Sequence, residues 1–193
     1  MLGAVHINQN NLEIERRFIV ESREDKPWHT CDSFSHIEQF YLDQENLILA
    51  DDSLHYENQL LVQVTKDQTF VLKSQTEWTV RIRYQDSSTY LTLKGVRQHA
   101  SAVELEWEIE RSAAEAIVAK ENFPALAKTR YYWRGDDGML WEVDEFEGKL
   151  AGLIIAEVEL DSEQQLVDIP YWADKEITGD HSWANSNLAD STL

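Results

Sequence analysis

Leu12-Glu13-Ile14-Glu15-Arg16-Arg17-Phe18-Ile19-Val20 is the stretch whose reading decides the fold. In an extended strand successive side chains point to opposite faces. Glu13, Glu15 and Arg17 therefore share one face, and Ile14, Arg16 and Phe18 share the other. Two carboxylates and a guanidinium side by side can hold a divalent cation together with its anionic ligand. The alternation returns along the chain. Thr79-Val80-Arg81-Ile82-Arg83-Tyr84 sets two arginines opposite Val80, Ile82 and Tyr84, and Tyr90-Leu91-Thr92-Leu93-Lys94 groups Tyr90, Thr92 and Lys94. Glu104, Glu106 and Glu108 face away from Val103, Leu105, Trp107 and Ile109. Lys128 and Arg130 form a basic pair, Glu142 and Asp144 an acidic one, and Glu157 and Glu159 another.

Any one such segment has a plain explanation, because an antiparallel strand commonly packs one face on the core and shows the other to water. The sorting of signs argues otherwise. A solvated face mixes Lys with Glu so that neighbours pair across strands. Here whole strand faces carry one sign, and like charges two residues apart repel unless something of opposite sign lies between them. Metal ions beside the acids and a polyanion beside the bases would supply it.

Strands are expected at 12–20, 36–42, 60–65, 68–73, 78–85, 89–95, 102–110, 128–133, 139–146 and 153–160, with Asp136-Asp137-Gly138 as a hairpin turn. Ser112-Ala113-Ala114-Glu115 has the capping-box pattern for a helix to Lys120, Ser162 opens a brief second helix, and a third spans His181 to Ala189. The segment 43–77 is irregular and acidic before its two short strands. The fold class is mainly β (α+β): antiparallel strands closing a barrel with a charged interior and helices outside to cover Leu105, Trp107 and Val143. An eight-stranded barrel is wide enough to hold one small ligand.

Composition narrows the function. A chain of 193 residues, 42% hydrophobic with seven Trp, reads as one globular domain over 1–193. No apolar run approaches the ~20 residues of a membrane span. Seventeen Lys and Arg against 36 Asp and Glu give a net charge of −19, which excludes a broad nucleic-acid or membrane-surface patch. A small polyanion is compatible, since salt screens the distant field beyond ~8–10 Å. Cys31 is the only cysteine, and residues 1–11 show no basic-then-apolar signal, so a reducing, cytoplasmic location is the expectation. There is no HExxH, no GxGxxG and no GxxxxGK[ST].

The ordered series Glu13-Ile14-Glu15-Arg16-Arg17-Phe18, Arg81-x-Arg83, Leu91-Thr92-Leu93-Lys94, Glu104-x-Glu106, Lys128-Thr129-Arg130-Tyr131, Trp141-Glu142-Val143-Asp144 with Phe146 and Gly148, Glu157-Val158-Glu159 and Asn185-Ser186-Asn187-Leu188-Ala189 resembles the CYTH superfamily, the triphosphate tunnel metalloenzymes. It looks most like the bacterial and plant inorganic triphosphatase branch. The resemblance implies an eight-stranded antiparallel tunnel with a C-terminal plug helix and hydrolysis of tripolyphosphate with Mg²⁺ or Mn²⁺. Adenylate cyclase, nucleoside or thiamine triphosphatase, and a non-catalytic polyphosphate-binding module are the alternatives. It further implies that Arg17, Arg81, Arg83, Lys94, Lys128 and Arg130 clamp phosphate oxygens, bidentate contacts favouring Arg. Glu13, Glu15, Glu157 and Glu159 would hold one metal ion. Glu104, Glu106 and Asp144 would position a second ion or the attacking water, with Glu106 and Asp144 also counted as metal ligands. Lys128 would protonate the leaving phosphate. The expected partner is a small-molecule triphosphate bound by a monomer or homodimer, with no nucleic acid and no membrane. Four positions depart from the family pattern: Arg17 replaces Lys, Ala102 stands where Arg is frequent, Phe40 where Gly is common, and Ser182 where a basic residue is frequent.

Overall fold

The computed structural model describes residues 11–21, 24–31 and 33–191, so the reading of residues 1–10 lies outside the described residues. Its strands are β1 (Leu12–Ile19), β2 (Phe34–Leu42), β3 (Leu47–Ala50), β4 (Ser53–Tyr56), β5 (Gln59–Gln63), β6 (Trp78–Gln85), β7 (Ser88–Gly95), β8 (Ser101–Glu108), β9 (Ala125–Arg134), β10 (Leu140–Phe146), β11 (Ile154–Glu159) and β12 (Lys175–Glu176). Eight of them close an antiparallel barrel in the order β1, β11, β10, β9, β2, β6, β7, β8 and back to β1. The ladders hold the charged faces in register: Arg17 lies opposite Glu157, Glu142 opposite Glu157, Asp144 opposite Arg130, and Lys94 opposite Glu104. The inward faces are therefore polar along most of the barrel and the apolar faces point outward, while at one end Ile19, Leu126, Phe146 and Ile155 turn inward and pack with Ile177, Trp183, Leu188 and Ala189 of the C-terminal segment.

Those outward faces need cover, which comes in two blankets. Ile82, Leu91, Leu93, Leu105 and Trp107 pack beneath Leu54, Tyr56, Leu61 and Leu72 of the 43–74 excursion and beneath Ala114 and Ile117. The latter two belong to helix α2 (Arg111–Val118), and Leu72 to α1 (Lys66–Ser74). On the other side Phe18, Trp141, Val143 and Val158 pack against Trp28 and Trp172. The Trp172 ring centroid lies 5.1 Å from that of Trp28 and 5.7 Å from that of Trp141. The cover over Val143 thus comes from Trp172 in a loop and Trp28 in the 3₁₀ turn Pro27–Thr30 rather than from an α-helix. Fully burying one such side chain stabilises by about 1.5–3 kcal/mol.

The structure corrects several boundaries. The strand expected at 68–73 is α1: the Thr65 hydroxyl accepts from the Gln68 amide at 3.2 Å, and Gln68 Oε1 accepts from the Thr65 amide at 2.9 Å. That reciprocal cap overrides the β preference of Thr69-Phe70-Val71. Glu110, not Ser112, sits at the N-cap of α2. Ser162–Gln165 makes a single turn, with the Gln165 amide donating to Ser162 O at 3.0 Å, and no helix. The last helix is split: a 3₁₀ turn His181–Trp183, extended Ala184, then α3 (Asn185–Asp190). No helix among the described residues is long and apolar enough to cross a membrane.

Candidate active site

The barrel encloses a cavity of about 860 Å³. Among the described residues nine carboxylates and six Lys or Arg side chains line it, so acids outnumber bases by three before any ligand is considered. Strands β6, β7 and β9 supply Arg81, Arg83, Lys94 and Arg130 to one arc. Strands β1, β8, β10 and β11 supply Glu13, Glu15, Glu104, Glu106, Glu142, Glu157 and Glu159 to the other.

On the basic arc Arg81 Nη2 donates to Thr92 Oγ1 at 3.0 Å, and Thr92 Oγ1 donates to Glu106 Oε2 at 2.7 Å. Arg83 Nη2 donates to Glu106 Oε1 at 2.9 Å. The Nε–H groups of both arginines are buried with no acceptor among the described residues. A buried charged donor without a partner is costly, and an anion in the cavity would satisfy both. Lys94 Nζ lies 2.7 Å and 2.9 Å from the two Glu13 oxygens and 2.8 Å from Glu104 Oε2. Arg130 is the most engaged cation, donating to Asp144 Oδ1 at 2.6 Å, Asp144 Oδ2 at 2.7 Å and Glu157 Oε2 at 3.0 Å, and also to Glu142.

The electrostatics divide the acids. Burial, then the Glu13 carboxylate, pushes Glu15 up to about 7. Burial, then Glu142 and Glu13, pushes Glu159 at the rim up to about 7. Burial also raises Glu104 despite Lys94. For Glu157 burial is outweighed by Arg17 and Arg130, which hold it well below the usual range. Glu13 and Glu106 are lowered likewise, burial being outweighed by Lys94 and by Arg83 respectively.

The cavity gathers Glu13, Glu15, Arg17, Arg81, Arg83, Lys94, Glu104, Glu106, Arg130, Glu157 and Glu159. Lys128 and Asp144 are not on its surface. They are 1% and 0% exposed and bonded to each other behind Arg130. The expected proton donor Lys128 and the expected ligand Asp144 are therefore spent on an internal charge cluster. Burial, then Arg130, lowers the Lys128 ammonium to about 8. Arg17 is also committed: Nε donates to Glu157 Oε1 at 2.7 Å, Nη1 to Trp183 O at 3.0 Å and Nη2 to Asn185 Oδ1 at 3.4 Å. It fastens β1 to the segment that closes one barrel end, where a Lys would lack the fork.

The other departures are local. Phe40 points outward onto Tyr84, ring centroids 5.8 Å apart, and does not touch the cavity. Ser182 bonds to Asp180, and the neighbouring His181 lines the cavity instead. Opposite Glu13 in the ladder, Ala102 is small, and the guanidinium of Arg97 reaches the acids there, Nη2 lying 3.0 Å from Glu13 and 2.7 Å from Glu15. Sequence reading missed Arg97, Gln39 and Tyr41. Alternation in β2 was the available signal for the last two.

The donor set fits a hard divalent cation: carboxylate oxygens in excess of bound positive charge, three of them held above their usual range by burial and like-charge neighbours. Among the described residues no three acids converge on one point as they stand, and Glu13, Glu15 and Glu157 are each turned toward an Arg or Lys.

No protein-family model matches the chain. The inorganic triphosphatase of Acetivibrio thermocellus is 40% identical over 111 residues, covering 57% of this chain and 70% of that protein. The inorganic triphosphatase of Nitrosomonas europaea is 34% identical over 112 residues, covering 57% and 74%. A solved inorganic triphosphatase structure is 27% identical, with a TM-score of 0.56 over 92% of this chain and 93% of that one. With identity, coverage and the barrel in agreement, the chain belongs to the inorganic triphosphatases of the CYTH superfamily.

Proposed function

We propose that the protein hydrolyses inorganic triphosphate to pyrophosphate and phosphate inside the barrel, with Mg²⁺ or Mn²⁺ as cofactor. The observation that carries the reading is the pair Arg81 and Arg83, on one face of β6 in the barrel cavity, with buried Nε–H groups that lack acceptors among the described residues. A linear triphosphate offers oxygens at intervals that several guanidinium groups grip at once, and Lys94 and Arg130 extend the same row. The names of the relatives point to the same substrate.

Glu13, Glu15, Glu157 and Glu159 would hold the cation, which supplies Lewis acidity toward the phosphate chain and toward water. The chain's own residues do the rest. Arg81, Arg83 and Arg130 bind and orient the phosphates and offset charge developing on the leaving oxygens. Glu106, fixed by Thr92 and Arg83, orients that clamp. Glu104, raised by burial, takes the proton from the attacking water. The closed end behind Arg17 and Trp183 limits bulk water. Comparing phosphate release from tripolyphosphate, ATP and thiamine triphosphate tests the substrate. Preference for tripolyphosphate supports the reading, and equal or better turnover of a nucleotide overturns it.

A further inference from the structure

We propose that Arg97 is a tethered cation that occupies the divalent-metal position between Glu13 and Glu15 in the ligand-free protein. It moves off that position onto the phosphate chain when metal and triphosphate load together. This rests on reading the cavity as a metal-dependent triphosphatase site, and it assigns that site's loading order.

The local backbone puts Arg97 where simple alternation would not. The β7–β8 ladder runs to Lys94 opposite Glu104, and the next bridge is Gln98 opposite Ser101. Three residues, Gly95, Val96 and Arg97, therefore face two, Ala102 and Val103. One extra residue is a β-bulge, which reverses the facing of the residues after it. Val96 lies exposed at the cavity mouth, and Arg97 is turned into the cavity. Beyond it a two-residue turn with His99 at φ 58° closes the hairpin.

At its tip the Arg97 Nη2 lies 2.7 Å from Glu15 Oε1 and 3.0 Å from Glu13 Oε2, while Nη1 donates to Ala100 O at 2.6 Å. One nitrogen thus bridges two carboxylates as a small cation would. A divalent ion between the same oxygens would stand a few ångströms from a guanidinium, where like charges repel strongly in a partly buried site. The two cannot share the position. Ala102, opposite Glu13, has no side chain beyond Cβ to block the arm's swing. A triphosphate gives the displaced arm phosphate oxygens to bind. Metal and triphosphate therefore help each other in, by reciprocal coupling.

The experiment titrates Mn²⁺ alone into wild type, Arg97→Gln and Arg97→Lys, following loss of the free-ion EPR signal, with circular dichroism to show each is folded. Arg97→Gln is expected to bind Mn²⁺ at least tenfold more tightly than wild type, and Arg97→Lys to stay close to wild type because it keeps the charge. Melting of Arg97→Gln is expected to rise further with Mn²⁺ alone than melting of wild type does. Arg97→Gln binding Mn²⁺ no better than wild type overturns the proposal. Equilibrium dialysis of wild type with Mn²⁺ and tripolyphosphate separates the two levels. Retention of neither overturns the triphosphatase reading and this proposal with it. Retention with unchanged Mn²⁺ affinity in Arg97→Gln overturns only the role of Arg97.

Discussion

Arg130 grips Asp144 with one edge of its guanidinium, Nε to Oδ1 at 2.6 Å and Nη2 to Oδ2 at 2.7 Å, while Lys128 holds Asp144 from behind. Asp144 is fully buried, so its negative charge is what allows two cations to sit side by side in the wall. Asp144→Asn removes that charge, leaving the fully buried Lys128 without its carboxylate partner and Arg130 with only Glu142 and Glu157. We expect a loss of about 3–5 kcal/mol in a urea melt, the cost of breaking a buried pair by removing one partner. Stability within about 0.5 kcal/mol of wild type would mean that Asp144 is not the organiser of this cluster.

The ligand-free protein should lose stability as pH rises through neutrality. Glu15 and Glu159 pair across the β1–β11 seam, and both are pushed from 4.5 up to about 7. The folded state therefore keeps protons that the unfolded chain releases between these values, so stability is full below about 4.5 and falls toward 7. Glu157 and Glu106 act oppositely, contributing stability that is lost below their lowered values in acid. Melting should be highest near pH 5 and decline by pH 7.5. The decline amounts to roughly 1–3 kcal/mol, most of it from Glu15, since Glu159 is exposed and solvent-screened. Glu15→Gln should flatten it, and a wild-type profile rising across this range would contradict the assignment.

Arg83→Ala deletes a phosphate clamp whose partners among the described residues are Glu106 and the Tyr90 ring, 4.8 Å away. Charge-assisted contacts of this kind contribute about 1.5–3 kcal/mol, so kcat/KM for tripolyphosphate should fall roughly tenfold to a hundredfold, with KM raised. Unchanged steady-state kinetics would remove Arg83 from the substrate contacts.

Arg17→Lys restores the family's usual residue but loses the fork to Trp183 O and Asn185. The expected result is a lower melting temperature, equivalent to about 1–2 kcal/mol, and faster amide exchange in α3. A variant as stable as wild type, with the same exchange rates, would show that Arg17 does not fasten the closing segment.

The barrel was legible because most of its strands alternate, and the sign-sorted faces of β1, β6, β8 and β11 gave its interior directly. Reading failed where parity or position breaks. The bulge before Gln98 turned Arg97 inward, and no residue pattern in Gly95-Val96-Arg97 signals that. Lys128 and Asp144 share a face with Arg130, but depth behind that face depends on the packing of Arg130, which alternation does not encode. In 43–77 the cap at Thr65 and Gln68 decided for a helix over the apolar composition of Phe70-Val71-Leu72. The tryptophan blanket on Trp141 joins residues far apart in the chain, Trp28 and Trp172.

Phosphate release from tripolyphosphate by the purified protein, with Mg²⁺ or Mn²⁺ and again with excess EDTA, tests the central claim most directly. The predicted result is rapid release of one phosphate and one pyrophosphate per triphosphate with metal, and loss of at least a hundredfold with EDTA that is recovered when metal is returned. No release above the uncatalysed rate with either metal, or release indifferent to EDTA, would contradict it.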